Sequence, residues 1–151
     1  IALVEEIRDS EYYIPELSFV AEWDGKIVGH FLFSRFPLSS SKNGNYIDKE
    51  EKNIVMLAPV AVHADYFHQG IGSAMITRGM EKVREAGFKG VTVEGDYHFY
   101  NRVGFRTSSE FQIYPTSGIP LTEPRCMMCQ EMYDGALENI HGYIVYMHYN
   151  A

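Results

Sequence analysis

Apolar residues recur at two spacings along this chain, and the change of spacing divides it into elements. In Gly70–Ala86 they fall at Ile71, Met75, Ile76, Met80 and Val83, the three-to-four-residue step that lays one stripe along a helix. Gly87 follows at once, placed to end that helix in a left-handed cap. Leu17–Glu22 and Lys26–Arg35 read as strands, and Asp24-Gly25 between them is a strong hairpin signal. Asn53–Val62 and Lys89–Glu94 read as buried strands. His98–Val103 predicts a short helix stopped at Gly104. Arg106–Tyr114, Cys126–Met132 and Tyr143–Tyr149 predict further strands, the last two separated by a turn near Asp134-Gly135. Leu3 and Ile7 with flanking charges suggest the end of an amphipathic helix. Pro37–Asn53 is rich in Ser, Asn, Lys and Gly, and Tyr114–Pro124 holds three prolines and a glycine, so both read as loops.

Strands, one crossover helix, a strand, a short helix and more strands make a mixed α/β arrangement with one strand–helix–strand unit at its centre. Such a unit makes its two strands parallel and its crossover right-handed. With 151 residues the chain reads as one domain, large enough for a real core. A net charge of −7 argues against a nucleic-acid partner and is compatible with a cationic substrate. No membrane partner is expected, because the longest apolar run, Met56–Val62, is too short to span a bilayer. The acidic opening, Ile1–Tyr13, is unlike a signal peptide, and a cytoplasmic location is expected. The first residue is Ile1 and the pattern opens within a helix, so a preceding N-terminal piece is expected too.

Candidate chemistry gathers at three places. His68-Gln69-Gly70-Ile71-Gly72-Ser73 opens the helix, and free N–H groups at a helix start suit a phosphate. No Asp or Glu occurs between Tyr66 and Met80, so the helix dipole is unmatched there, as if a ligand supplied the charge. A dinucleotide-binding turn fits poorly, because the third small position falls on Met75 and the turn starts several residues after Val62. A P-loop is excluded, since no Gly-Lys-Ser/Thr follows. Pro59, inside a strand, marks an edge, a bulge or a parting of strands. Parted strands would leave backbone groups of Val60, Ala61 and Val62 free to pair with an extended ligand. Tyr100 can donate a proton, since an unperturbed tyrosine stays protonated at neutral pH. Cys126 and Cys129 could be a redox pair, but strand alternation would point them apart. His63, His68 and Asp65 make a poorer cation site than the adjoining N–H groups make an anion site, and no metal is expected.

These features occur in this order in the GCN5-related N-acetyltransferases, which the chain resembles over about residues 3–149. Val60-Ala61-Val62-His63-Ala64-Asp65-Tyr66 with Gln69-Gly70-Ile71-Gly72-Ser73-Ala74-Met75 is similar to that family's acetyl-CoA motif. Tyr100-x-x-x-Gly104-Phe105 resembles its second hallmark. Val20-Ala21-Glu22-x-Asp24-Gly25-Lys26-Ile27-Val28-Gly29 is similar to its second and third strands, and Gly95-Asp96 and Gly142-Tyr-Ile-Val-Tyr146 suggest the YhbS-like branch. Aligned on Gly70 and Gly72, the family's usual Arg/Gln position holds Phe67; Gln69-x-x-Gly72-x-Ala74 also fits the family pattern, two residues out of register with the strand. The resemblance implies a central, splayed, mostly antiparallel sheet flanked by helices, with the first strand and part of the first helix preceding Ile1.

It also implies transfer of acetyl from acetyl-CoA to a primary amine of a small molecule or peptide, by direct attack in a ternary complex. Phe67, His68, Gln69, Gly70, Ile71, Gly72 and Ser73 would lie at the pyrophosphate, and Val60–Val62 would pair with the pantetheine arm. An N–H near Ala61 would polarise the thioester, and Tyr100 would protonate the departing thiolate. Glu94 is the first choice of base, ahead of His30, His63 and Glu131. Strand alternation sets Thr92 and Glu94 on one face and Val91 and Val93 on the other. The alternative is a non-catalytic acyl-CoA sensor on the same fold. The late strands are compatible with a homodimer.

Overall fold

The computed structural model describes residues 7–41, 50–63, 65, 70–115 and 123–145. In chain order the elements are strands β1 (Tyr13–Trp23), β2 (Lys26–Ser39) and β3 (Glu50–Val62), then helix α1 (Ile71–Glu85). Strand β4 (Gly90–Glu94), helix α2 (Tyr97–Arg102) and strands β5 (Arg106–Thr107), β6 (Ile113–Pro115), β7 (Met127–Glu131) and β8 (Gly142–Ile144) follow. The strands form one sheet in the order β5-β7-β4-β3-β2-β8-β6, with β1 also on β2. Pairs β3/β4 and β6/β8 are parallel and the others antiparallel. The mixed, mostly antiparallel α/β sheet implied by the resemblance is the one observed.

Local chemistry sets the joints. Asp24 and Gly25 both take positive φ, 50° and 77°, the backbone of the tight hairpin turn that this dipeptide favours. Helix α1 stops at Gly87, φ 91°. The Gly87 N–H donates to the Arg84 carbonyl at 3.0 Å and the Phe88 N–H to the Val83 carbonyl at 3.3 Å, a Schellman stop. The expected cap at Gly87 is therefore present.

Several boundaries differ from the pattern-based reading, β1 among them, which begins at Tyr13 and not at Leu17. The loop expected over Pro37–Asn53 is shorter, because β2 runs to Ser39 and β3 begins at Glu50; residues 42–49 lie outside the described residues. The last strand ends at Ile144, and the expected stretch beyond 145 is likewise outside them. Arg106–Tyr114 is not one strand: β5 and β6 are separated by a tight 3-10 turn at Ser108–Phe111. The reason is topological, since β5 lies at one edge of the sheet and β6 at the other. Six strand-to-strand steps of about 4.8 Å would put the edges of a flat sheet about 29 Å apart. The few residues between Thr107 and Ile113 reach only about 20 Å, so the sheet must curl.

The curl makes two cores. Helix α1 covers one face with Met75, Ile76, Met80 and Val83 against Phe31, Phe33, Val55, Val91, Val93 and Met128. Phe36, Leu38, Ile54, Met56 and Cys129 line the other face, closed by Ile113, Leu137 and Ile140. At Gly79 the helix touches the sheet closely: a Cβ there would sit 2.5 Å from Phe31 Cε2 and 2.9 Å from Phe33 Cε2. Gly79→Leu is therefore expected to overpack this contact and lower unfolding free energy by about 1–3 kcal/mol, read by urea denaturation.

Candidate active site

Strand β3 changes partners along its length. Ile54, Val55 and Met56 pair with Gly90, Val91 and Thr92 of β4, and the β3/β4 ladder goes no further. Beyond it Val60, Ala61 and Val62 still pair with Phe31, His30 and Gly29 of β2, so one edge of this segment is held and the other is open toward β4. The register between β2 and β3 slips between the pairs Phe31–Val60 and Phe33–Leu57. Pro59 lies in that bulge, as a residue without an N–H must.

The open edge faces a cleft of about 1210 Å³. Val60–Val62 form one wall, and Gly70, Gly72, Ser73 and Thr77 bring the start of α1 to it. Phe99, Tyr100, Arg102, Val103 and Gly104 close the third side from α2. Gly70 is the N-cap at φ 75°, no side chain caps the helix, and its first turn holds no acid. The N–H groups at this end thus receive no side-chain cap from the described residues.

Helix α2 explains the spacing Tyr-x-x-x-Gly-Phe. Asp96 caps its start, accepting the His98 N–H at 3.0 Å. At its end the Gly104 N–H donates to the Asn101 carbonyl at 3.2 Å and the Phe105 N–H to the Tyr100 carbonyl at 3.0 Å. That is a second Schellman stop, and its apolar clasp joins the same two residues: the Tyr100 and Phe105 rings meet edge-on at 5.6 Å. Gly104 has φ 103°, and a Cβ there would lie 2.9 Å from Gln130 Nε2. The positive φ is what requires glycine.

Tyr100 is 9% exposed, and its hydroxyl has no hydrogen-bond partner among the described residues. Burial first, and Asp96 second, push its pKa above the ordinary value, so it holds its proton at neutral pH. Glu94 does not line the cleft. It ends β4 beside Met127, with Gly95 next, and a Cβ on Gly95 would touch the Tyr100 ring at 2.8 Å. Burial raises the Glu94 pKa above the usual carboxylate value. The expected alternation in β4 holds: Val91 and Val93 join the α1-side core, and Thr92 pairs with Met56 and Cys129 of the other.

Other expected contributors are placed differently. Ile71 buries its side chain in the α1-side core, so only its backbone is available at the cleft. Phe67, His68 and Gln69 lie outside the described residues. The Glu131 carboxylate accepts the Leu137 N–H at 2.9 Å, which ties it to a turn. His63 Nδ1 accepts the Asp65 N–H at 3.2 Å. No cluster of three metal-ligating side chains occurs among the described residues. Cys126 sits in a 3-10 turn before β7 and is not part of the strand, so alternation does not orient it; Cys129 is buried, and the two are not joined. Thr77, Phe99, Arg102 and Val103 were not expected at the site. Thr77 was legible one helical turn after Ser73, whereas the α2 residues reach the cleft only through the tertiary fold, which brings the Phe99 ring to 3.5 Å from a Cβ placed at Gly72.

A sheet that parts beside an uncapped helix start, with a tyrosine on the facing wall, defines the class: an α/β fold whose free strand edge and helix N-terminus share one cleft. Residues 2–105 match the model of the acetyltransferase (GNAT) family, and the chain belongs to that family. It is 32% identical over 131 residues to the Escherichia coli K12 protein YjhQ, an uncharacterized N-acetyltransferase, spanning 86% of this chain and 68% of YjhQ. It is 27% identical over 150 residues to YhbS of the same organism, also an uncharacterized N-acetyltransferase, spanning 98% and 81%. The crystal structure of E. coli YhbS in complex with CoA superposes with a TM-score of 0.79 at 24% identity, over 99% of this chain and 76% of that one. A GNAT acetyltransferase from Brucella melitensis in complex with acetyl-CoA gives 0.69 at 25% identity, over 97% and 75%. No helix among the described residues is long and apolar enough to cross a membrane.

Proposed function

We propose that the chain is an acetyl-CoA-dependent N-acetyltransferase that passes acetyl to a primary amine by direct attack in a ternary complex. The observation that carries this reading is the open edge of Val60–Val62 in one cleft with the α1 start and Tyr100. The acetyl-CoA bound by the Brucella relative supports the same donor here. The pantetheine arm adds to the free edge of β3 like a short strand. The pyrophosphate rests on N–H groups at Gly70–Ser73. A main-chain N–H near Ala61 stabilises the oxyanion as the amine nitrogen adds to the thioester carbonyl. The new C–N bond forms, the C–S bond breaks, the thiolate takes the Tyr100 proton, and the proton the nitrogen loses as it becomes the neutral amide returns to Tyr100.

The amine must shed a proton to react. Glu94 sits a residue from the Tyr100 contact and outside the cleft wall, so it takes that proton through water. Its desolvated carboxylate is the stronger base for being partly buried. The acidic limb of the kcat/KM profile is therefore expected above the ordinary glutamate pKa. Activity is lost as pH falls through that limb and Glu94 protonates. Glu94→Gln removes the limb; a limb that persists unchanged assigns the base elsewhere.

The test of the whole reading is release of free CoA thiol from acetyl-CoA across a panel of small and peptide amines. Turnover with any of them supports it. Binding of acetyl-CoA with no turnover on any amine would make the chain an acyl-CoA sensor.

A further inference from the structure

Helix α1 fixes which way a donor lies along the free edge of β3. A Cβ on Gly29, the partner of Val62, would lie 3.1 Å from Met75 Sδ, one turn into α1. A Cβ on Gly79, one turn later, would meet Phe31 and Phe33, the partners of Val60 and Leu57. The helix therefore starts at the Val62 end of β3 and runs back toward Leu57. A donor whose pyrophosphate rests at Gly70–Ser73 has its thioester toward Val60. Its acyl group then points along the edge to the place where β3 and β4 join.

That junction is shut. The β3/β4 ladder ends at the rung Met56–Thr92, and one step further the same register sets Leu57 opposite Val93, where the strands no longer pair. Leu57 is 2% and Val93 1% exposed, and both belong to the α1-side core together with Tyr100. The lining of the cleft begins on β3 only at Val60 and includes neither of them. The next positions, Ala58 and Glu94, turn to the other face, where a carboxylate is a poor neighbour for an apolar chain. In a close-packed interior each added methylene must displace a neighbour, so space for an acyl chain ends at Leu57 and Val93.

We infer that Leu57 and Val93 form an apolar stop at the parting of β3 and β4 that sets the length of the acyl group, selecting acetyl-CoA over CoA thioesters of longer apolar acids. This rests on the acetyl-CoA reading above. The stop acts on which donor fits and not on the transfer itself, so it is visible in binding without an acceptor amine.

Calorimetric titration with CoA, acetyl-CoA and butyryl-CoA tests the inference. The wild-type protein is expected to bind butyryl-CoA roughly 10- to 200-fold more weakly than acetyl-CoA, the worth of a misfitting methylene in an apolar pocket. Leu57→Ala and Val93→Ala open space for the carbons that butyryl adds, and an apolar cavity accepts an apolar guest. Each is expected to raise butyryl-CoA affinity relative to acetyl-CoA by about tenfold or more. Leu137→Ala makes the same deletion in the other core, beside Gly90 at the far end of β4, and is expected to lower stability without moving that ratio. A ratio of two affinities measured on one sample does not depend on its folded fraction, and Val93→Ala, the smaller deletion, carries the test if Leu57→Ala does not fold. Equal wild-type affinity for acetyl-CoA and butyryl-CoA overturns the stop. So does a ratio that Val93→Ala leaves unmoved, or that Leu137→Ala moves as far. In each of these cases the donor assignment stands. A wild-type protein that binds none of the three thiol compounds overturns both.

Discussion

Tyr100→Phe is expected to lower kcat by about 100-fold or more while leaving acetyl-CoA affinity nearly unchanged. The change deletes one oxygen and preserves the ring, and the ring is what the fold uses. It packs edge-on against Phe99 at 4.9 Å and Phe105 at 5.6 Å, and Gly95 is bare to make room for it. The hydroxyl has no partner among the described residues, so its removal orphans no buried group and costs little stability. Burial raises its pKa, which leaves the proton in place at neutral pH for the thiolate to take. Steady-state kinetics with varied acetyl-CoA separate the two parameters, and an unchanged kcat would remove Tyr100 from the chemistry. Tyr100→Ala would be the poorer test, since it also dissolves the clasp with Phe105 that ends α2.

Gly72→Trp is expected to weaken CoA binding by roughly 100-fold, about 3 kcal/mol, the worth of one or two charge-assisted hydrogen bonds. A Cβ at Gly72 would lie 3.5 Å from the Phe99 ring, so any side chain there points across the gap between α1 and α2. Alanine makes an ordinary contact at that distance, and Gly72→Ala is the control that keeps binding. A tryptophan fills the space where the helix start meets its ligand. The fold tolerates the change, because glycine is among the weakest helix formers and the site opens to the cleft. Titration with CoA reads the outcome; wild-type affinity in Gly72→Trp would defeat the placement of the pyrophosphate at α1.

Legibility differed by the range of the interaction. The Asp24-Gly25 turn, the helix over Gly70–Ala86 and its stop at Gly87 were readable because each depends on neighbours a few residues away. The Tyr100-x-x-x-Gly104-Phe105 spacing was legible for the same reason: it is a helix stop whose first and last residues clasp. The break within Arg106–Tyr114 was not readable. Its residues suit a strand, and what divides them is that β5 and β6 pair at opposite edges of a sheet whose curl is a global property. The parting at Pro59 was only half visible. A proline in a strand announced a bulge, but its own sequence could not say that β2 keeps its hold on Val60–Val62 while β4 lets go.

The sequence by itself determined the elements, the mixed α/β class, the glycines at the turns and an uncapped helix start without acids. Those follow from periodicity, φ preference and local charge, which act along the chain. The tertiary structure alone decided what shares the cleft. It turned Ile71 into the core, left Glu94 one residue outside the wall, and brought Thr77, Phe99 and Arg102 in. Which side chains meet across a gap depends on where α2 lies relative to the start of α1 and where two parallel strands diverge, and those contacts join residues with no regular spacing in sequence.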